Sequence, residues 1–412
     1  VRGMELRRLK GGVTEAEGFQ ASGVRAGIRS QGLDLALLYC EEGAVPSAGA
    51  FTTSLTRAAP VVLTMNHLRR ERRLGAVVAN SGCANSFTGE RGRRDAERMA
   101  ELTAELLGLR THQVGVASTG MIGTFLPMDK VERGIREAVA RLSSSRRASL
   151  EAATAILTTD RGPKEVAVSV ETEDGTTVTI AGMAKGAGMI RPRLKTATML
   201  VFLTTDARVD PLFLRSSLQA SVDGSLNMIT VDNDTSTNDM VLMMASGRAG
   251  NRELKRWDRG FQLGLDFVLR ELAREIVRGA EGATRLMEVR VKNARRGEAR
   301  KAALAVAGSN LLKAALFGGD PNWGRIVAAL GYSGARFDPG KLTLKVRSRR
   351  GEATLVEEGR PMGGPELPEA VEVMREDEVI FEIDLKAGEE EATAWGCDLT
   401  YEYVRINSRY RT

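Results

Sequence analysis

A short apolar run, Val201-Phe202-Leu203, constrains this chain more than any other stretch. It reads as a buried strand, and chemistry crowds its entrance. Upstream lie a glycine-rich turn, Lys185-Gly186-Ala187-Gly188, then Pro192 and a basic patch at Arg193 and Lys195. Ala197-Thr198-Met199-Leu200 then leads into the strand. A fold that buries residues 201–203 must therefore hold Thr198 at the lip of a core strand, with a lysine within reach. An internal threonine hydroxyl is a weak nucleophile. A threonine with a free α-amino group carries its own base, because that amine has a pKa near 7.7–8.0. Such a terminus arises inside a chain only by cleavage, and the small Ala197 suits the residue before the cut.

The 412 residues are enough for two domains or two large lobes. Aromatic residues are 5% of the chain, so the core is aliphatic. With 44 Gly against 11 Pro, tight turns should outnumber rigid linkers. The net charge of +6 comes from scattered pairs such as Arg69-Arg70 and Arg349-Arg350, with acidic residues close by. That pattern reads as solvated surface and argues against a nucleic-acid-binding module. Cys40, Cys83 and Cys397 form no CxxC or CxxH pattern, so no metal site is expected and the thiols read as reduced. No segment approaches the roughly 18 consecutive apolar residues of a membrane span, and a cytoplasmic protein is expected. His67 and His112 adjoin no serine or cysteine nucleophile motif and read as surface or turn residues.

The pattern along the chain is many strands with a few long amphipathic helices, which predicts α+β layers. Strands are expected at 34–40, 76–80, 114–117, 287–291, 303–307, 342–346, 379–385 and 399–406. Residues 166–171 and 177–181 flank Glu173-Asp174-Gly175 and predict a hairpin. Helices are expected at 94–107, 128–142, 211–221, 261–278 and 310–317. Two loops of small polar residues, 80–85 and 118–123, follow strands, and 320–326 reads as a further loop. Ser118-Thr119-Gly120 at a strand tip suits an oxyanion hole as well as it suits a plain turn. Residues 229–240, dense in carboxylates and hydroxyls, read as a polar, turn-rich segment near the site.

Eight motifs in fixed order resemble the ornithine acetyltransferase family of arginine biosynthesis, also called bifunctional glutamate N-acetyltransferase. They are Gly11-Gly12-Val13-Thr14 and the segments 80–85, 118–123, 185–190, 197–200, 234–239, 320–325 and 403–407, so the match runs nearly end to end. The resemblance implies a layered α/β/β/α sandwich, cut between Ala197 and Thr198 into an α chain (1–197) and a β chain (198–412). It implies that Thr198 takes acetyl from N2-acetylornithine and passes it to glutamate. Thr119 and Gly120 are then the oxyanion hole, and Thr158, Lys185, Thr198, Glu281, Asn407 and Thr412 bind substrate. Thr159 competes closely with Thr158. No cofactor is implied, although acetyl-CoA is a further candidate donor. Two αβ units are expected to assemble, without nucleic acid or membrane. An aminopeptidase or amidase of similar fold is the alternative.

One departure from the family pattern bears on the nucleophile. About two extra residues lie between Pro192 and Ala197, so a count from Lys185 places it at Thr196. The count back from Leu203-Thr204-Thr205-Asp206-Ala207 selects Thr198, and Lys195-Thr196 is a poor cleavage context. Thr198→Ala should therefore remain a single chain on a denaturing gel, while Thr196→Ala should be cut normally.

Overall fold

The computed structural model describes residues 6–191, 199–363 and 367–409. Ala197, Thr198, Thr196 and Thr412 lie outside the described residues. The expected run at 201–203 is the middle of a strand, Leu200–Thr205, buried along its whole length. It pairs antiparallel with Thr177–Lys185 and parallel with Met240–Ala245, in the middle of a seven-stranded sheet.

Both faces of this strand meet core, as the two-residue alternation of a strand requires. Val201 and Leu203 pack with Val268, Leu269 and Leu272 of the Arg259–Arg278 helix. Leu200 and Phe202 point the other way, toward Ala36, Leu38, Val77 and Ala79 of a four-stranded sheet. The far face of that second sheet packs on two helices, Gly89–Leu107 and Met128–Ala140. Helices, sheet, sheet and helices thus follow one another as layers. A six-stranded sheet, built from strands between residues 286 and 397, continues the first core on the C-terminal side.

The hairpin is present as Lys164–Glu171 and Thr177–Lys185. The expected helices at 94–107, 128–142, 211–221, 261–278 and 310–317 all exist with shifted ends. Asp258 caps the Arg259–Arg278 helix by accepting the Phe261 N–H at 2.9 Å. Residues 303–307 are not a strand. They close the Ala299–Ala307 helix, because this alanine-rich run has high helix propensity and only one face to bury. Residues 399–406 are not a strand either. Thr400 accepts the Tyr403 N–H at 3.1 Å and starts the Tyr401–Arg409 helix. Part of the 320–326 loop is the first turn of the Trp323–Tyr332 helix, capped by Asn322 on the Arg325 N–H at 3.2 Å.

The two small-residue loops are largely strand: Ala76–Cys83 and Val114–Met121 run on through them as a parallel pair. His67 and His112 are buried rather than exposed. His67 Nδ1 lies 2.8 Å from the Val114 carbonyl oxygen, and His112 Nε2 lies 2.8 Å from Glu71 Oε2. The three cysteines are free and buried. Among the described residues no helix is long and apolar enough to cross a membrane.

Phe202 is 1% exposed and fills the space between the two sheets. Phe202→Ala should destabilise the fold by about 3–5 kcal/mol, read from a shift in the urea unfolding midpoint.

Candidate active site

The sheet ends converge on a cavity of about 240 Å³. Thr119, Gly120, Thr158, Lys185, Glu281 and Asn407 all line it, although they are up to 288 positions apart in sequence, from 119 to 407. It is smaller than the roughly 300–1,000 Å³ of a drug-sized pocket, as suits an amino-acid ligand.

Lys185 ends its strand inside the protein, with 7% of its surface exposed. Its Nζ donates to Thr158 Oγ1 at 2.8 Å and to Thr119 Oγ1 at 3.1 Å. Burial lowers the Lys185 pKa, and the nearby Asp160 carboxylate works against that shift. Asp160 is the centre of a buried ion cluster. Its Oδ1 lies 2.6 Å from Lys164 Nζ and accepts the Gly186 N–H at 2.7 Å, while Oδ2 accepts the Thr158 N–H at 3.2 Å. Burial alone would raise the Asp160 pKa. The charges of Lys185 and Lys164, with these hydrogen bonds, outweigh it and bring the carboxyl down to about 2. One carboxylate therefore fixes both the turn after Lys185 and the turn that carries Thr158.

The other end of the cavity is acidic. Glu281 accepts the Thr159 hydroxyl at 2.6 Å on one oxygen and the Asn407 side-chain amide at 2.8 Å on the other. Thr158 and Thr159 thus both line the cavity, and they serve opposite ends. A Cβ on Gly188 would stand 2.5 Å from Glu281 Oε2, so the second glycine of the Lys185 turn makes room for that carboxylate. Asp232 accepts the N–H groups of Met189 and Ile190 at 2.6 and 2.8 Å, and the Tyr403 hydroxyl at 3.2 Å. Burial first, then the charge of Asp232, raises the Tyr403 pKa, so its hydroxyl stays protonated and donates.

Gly120 has a φ of +132°, and a Cβ there would lie 2.3 Å from the backbone carbon of Gly82. Only glycine fits where the two strands meet this closely. Among the described residues, no group of three or more His, Cys, Asp or Glu side chains is placed to hold a metal ion.

The ArgJ family profile matches residues 20–412. The chain belongs to the ArgJ family. The arginine biosynthesis bifunctional protein ArgJ of Symbiobacterium thermophilum is 54% identical over 413 positions, which cover 98% of this chain and 99% of that one. The glutamate N-acetyltransferase of Methanothermobacter thermautotrophicus is 46% identical over 413 positions, 99% of each chain. The ornithine acetyltransferase of Mycobacterium tuberculosis, solved in complex with ornithine, is 44% identical. It covers 46% of this chain and 100% of its own, with a TM-score of 0.43. As an ArgJ family member the protein is an acyltransferase of arginine biosynthesis. That membership displaces the amidase alternative.

Sequence reasoning missed Asp160, Asp232 and Tyr403. Asp160 had a signal, since it lies two residues after Thr158 and four before Lys164. Asp232 lies in the 229–240 segment read as near the site and Tyr403 opens the 403–407 motif, but nothing in either stretch pairs the two, because their meeting is a product of tertiary folding.

Two outcomes follow from this geometry. Gly120→Ala should cost at least about 100-fold in kcat, because the backbone must shift to admit the methyl group. Asp160 has a folded pKa of about 2, against about 3.9 in an unfolded chain. Its stabilisation is complete above about pH 4 and is lost as the pH falls toward 2. Asp160→Asn should therefore destabilise the protein at pH 7 by about 3–5 kcal/mol, the cost of breaking a buried ion pair. The gap from wild type in urea unfolding should narrow below about pH 4.

Proposed function

We propose that this ArgJ family acyltransferase works through Thr198, freed as an N-terminus by self-cleavage after Ala197. Residues 1–197 and 198–412 then stay together as α and β chains. The convergence of Thr119, Gly120, Thr158, Lys185, Glu281 and Asn407 on one cavity is the observation that carries this reading. Thr198 directly precedes Met199, whose carbonyl accepts the Met240 N–H at 2.8 Å, and Leu200 is in register with Lys185.

The hydroxyl oxygen of Thr198 attacks the acetyl carbon of N2-acetylornithine, and its proton passes to the threonine's own α-amino group. The negative oxygen of the tetrahedral intermediate is met by the Gly120 N–H and the Thr119 hydroxyl. The carbon–nitrogen bond breaks, the α-amino group returns the proton, and ornithine leaves as a free amine. Glutamate's amine then attacks the acetyl ester by the reverse path, giving N-acetylglutamate and free Thr198. Acetyl-CoA would deliver acetyl to the same hydroxyl and release a thiol. Lys185 pairs with the substrate α-carboxylate. Glu281 and its partners Thr159 and Asn407 receive the side-chain ammonium of ornithine. Thr412 completes the substrate contacts, two αβ units assemble, and the protein acts in the cytoplasm.

The test is isotope exchange. Labelled ornithine should enter N2-acetylornithine with no glutamate present, as a ping-pong route requires, and absence of exchange would contradict it. Glu281→Gln should lose about 10–100-fold in kcat/KM for N2-acetylornithine, the worth of one charge-assisted hydrogen bond, and much less for glutamate.

A further inference from the structure

Among the described residues the Val114–Met121 strand is the border of the four-stranded sheet, paired only with Ala76–Cys83. A border strand presents backbone groups that no neighbouring strand takes up. Here side chains from other elements take them up one after another. The Val114 carbonyl lies 2.8 Å from His67 Nδ1. Val116 donates its N–H to Thr64 Oγ1, and its carbonyl accepts the Thr64 hydroxyl, both at 2.8 Å. The Ser118 carbonyl accepts Asn238 Nδ2 at 2.8 Å.

Residues two apart in a strand turn their backbone groups to the same side. After 114, 116 and 118, the next outward N–H belongs to Gly120, which lines the cavity. The intervening set faces the other way: the Met121 carbonyl accepts the Ala84 N–H at 2.9 Å, toward the neighbouring strand.

We propose that Asn238 is the positioning residue that aims the Gly120 N–H at the reacting carbonyl. This rests on the reading of Thr198 as nucleophile and Gly120 as oxyanion donor. Asn238 is 7% exposed, and its single Nδ2 bridges the ends of both strands, reaching Ala84 O at 2.6 Å as well as Ser118 O. Its Oδ1 accepts the Thr237 hydroxyl at 2.6 Å, which fixes which end of the amide donates. Two residues later, Met240 donates its N–H to Met199, the residue after Thr198. One side chain therefore ties the donor strand to the strand that pairs beside the nucleophile. A hydrogen-bond donor loses strength steeply once its angle falls below about 120°, so a loosened Ser118–Gly120 segment weakens oxyanion binding, while Lys185, which also bonds Thr119, keeps its shorter bond to Thr158, and Glu281 keeps Thr159 and Asn407.

The test compares Asn238→Asp and Asn238→Ser with wild type, all as purified, cleaved protein. Asn238→Asp sets a carboxylate against two carbonyl oxygens. Asn238→Ser keeps one short donor, carries no charge, and keeps the test open if the aspartate variant does not fold. Competent sites are counted from the ornithine released in the first turnover. kcat per competent site should fall roughly 10-fold in the serine variant and roughly 100-fold in the aspartate variant. KM for both substrates should stay within about threefold. A wild-type kcat per site, with only melting temperature or site count reduced, would show a merely structural role and overturn the proposal. KM rising in step with the loss of kcat would overturn it too. Wild-type protein that forms no acetyl-Thr198 would instead remove the underlying reading, and that is visible without either variant.

Discussion

The structure depends on the pairing of one strand, Leu200–Thr205, between two others. Leu200 is in register with Lys185 on one side and Met240 on the other. Because Val201, Leu203, Leu200 and Phe202 fill cores on opposite faces, a slip by one residue would exchange every side chain between them. The register is therefore strongly specified, and with it the placement of everything joined to the strand ends. Lys185 closes one neighbouring strand, and Asn238 and Asp239 lead into the other. A chain that folds this way has no freedom in where residue 199 begins its ladder.

Against that rigid frame the polar interior carries a cost that is offset locally. Lys164 and Lys185 are both buried, and for Lys185 burial disfavours the charged form. Asp160 compensates both and spends its remaining lone pairs on the backbone of Gly186 and Thr158. The same carboxylate that makes two buried lysines tolerable thus shapes two walls of the cavity. Glu281 at the far end is held by hydroxyl and amide donors and, among the described residues, has no lysine or arginine hydrogen-bonded to it. That leaves its charge available to a cationic ligand, and sets a basic end and an acidic end across a space of amino-acid size.

Much of the fold was legible because period and punctuation agreed. The Arg259–Arg278 helix announces itself by a stripe of Leu265, Val268, Leu272 and Ile276, and the hairpin by Glu173-Asp174-Gly175. The failures came where one pattern serves two structures. Residues 303–307 are all apolar and read equally as a buried strand, while their alanines and their packing under the six-stranded sheet make them helix. Residues 399–406 alternate like a strand, yet a threonine cap starts a helix there. The buried histidines were misplaced because their partners, the Val114 carbonyl and Glu71, are 41 to 47 positions away. Within the cavity stand the described residues that the family resemblance names, Thr119, Gly120, Thr158, Lys185, Glu281 and Asn407, with Thr159 beside Thr158. Asp232, Tyr403 and Asn238 do their work through contacts that only the folded chain creates.

The central claim is that Thr198 is a freed N-terminus that carries the acetyl group. Mass spectrometry of the purified protein, before and after N2-acetylornithine without glutamate, tests it most directly. The account predicts two fragments, the second beginning Thr198-Met199-Leu200, with that fragment alone gaining one acetyl group at Thr198. An uncut chain that still transfers acetyl, or an acetyl group trapped on any other residue, would contradict it.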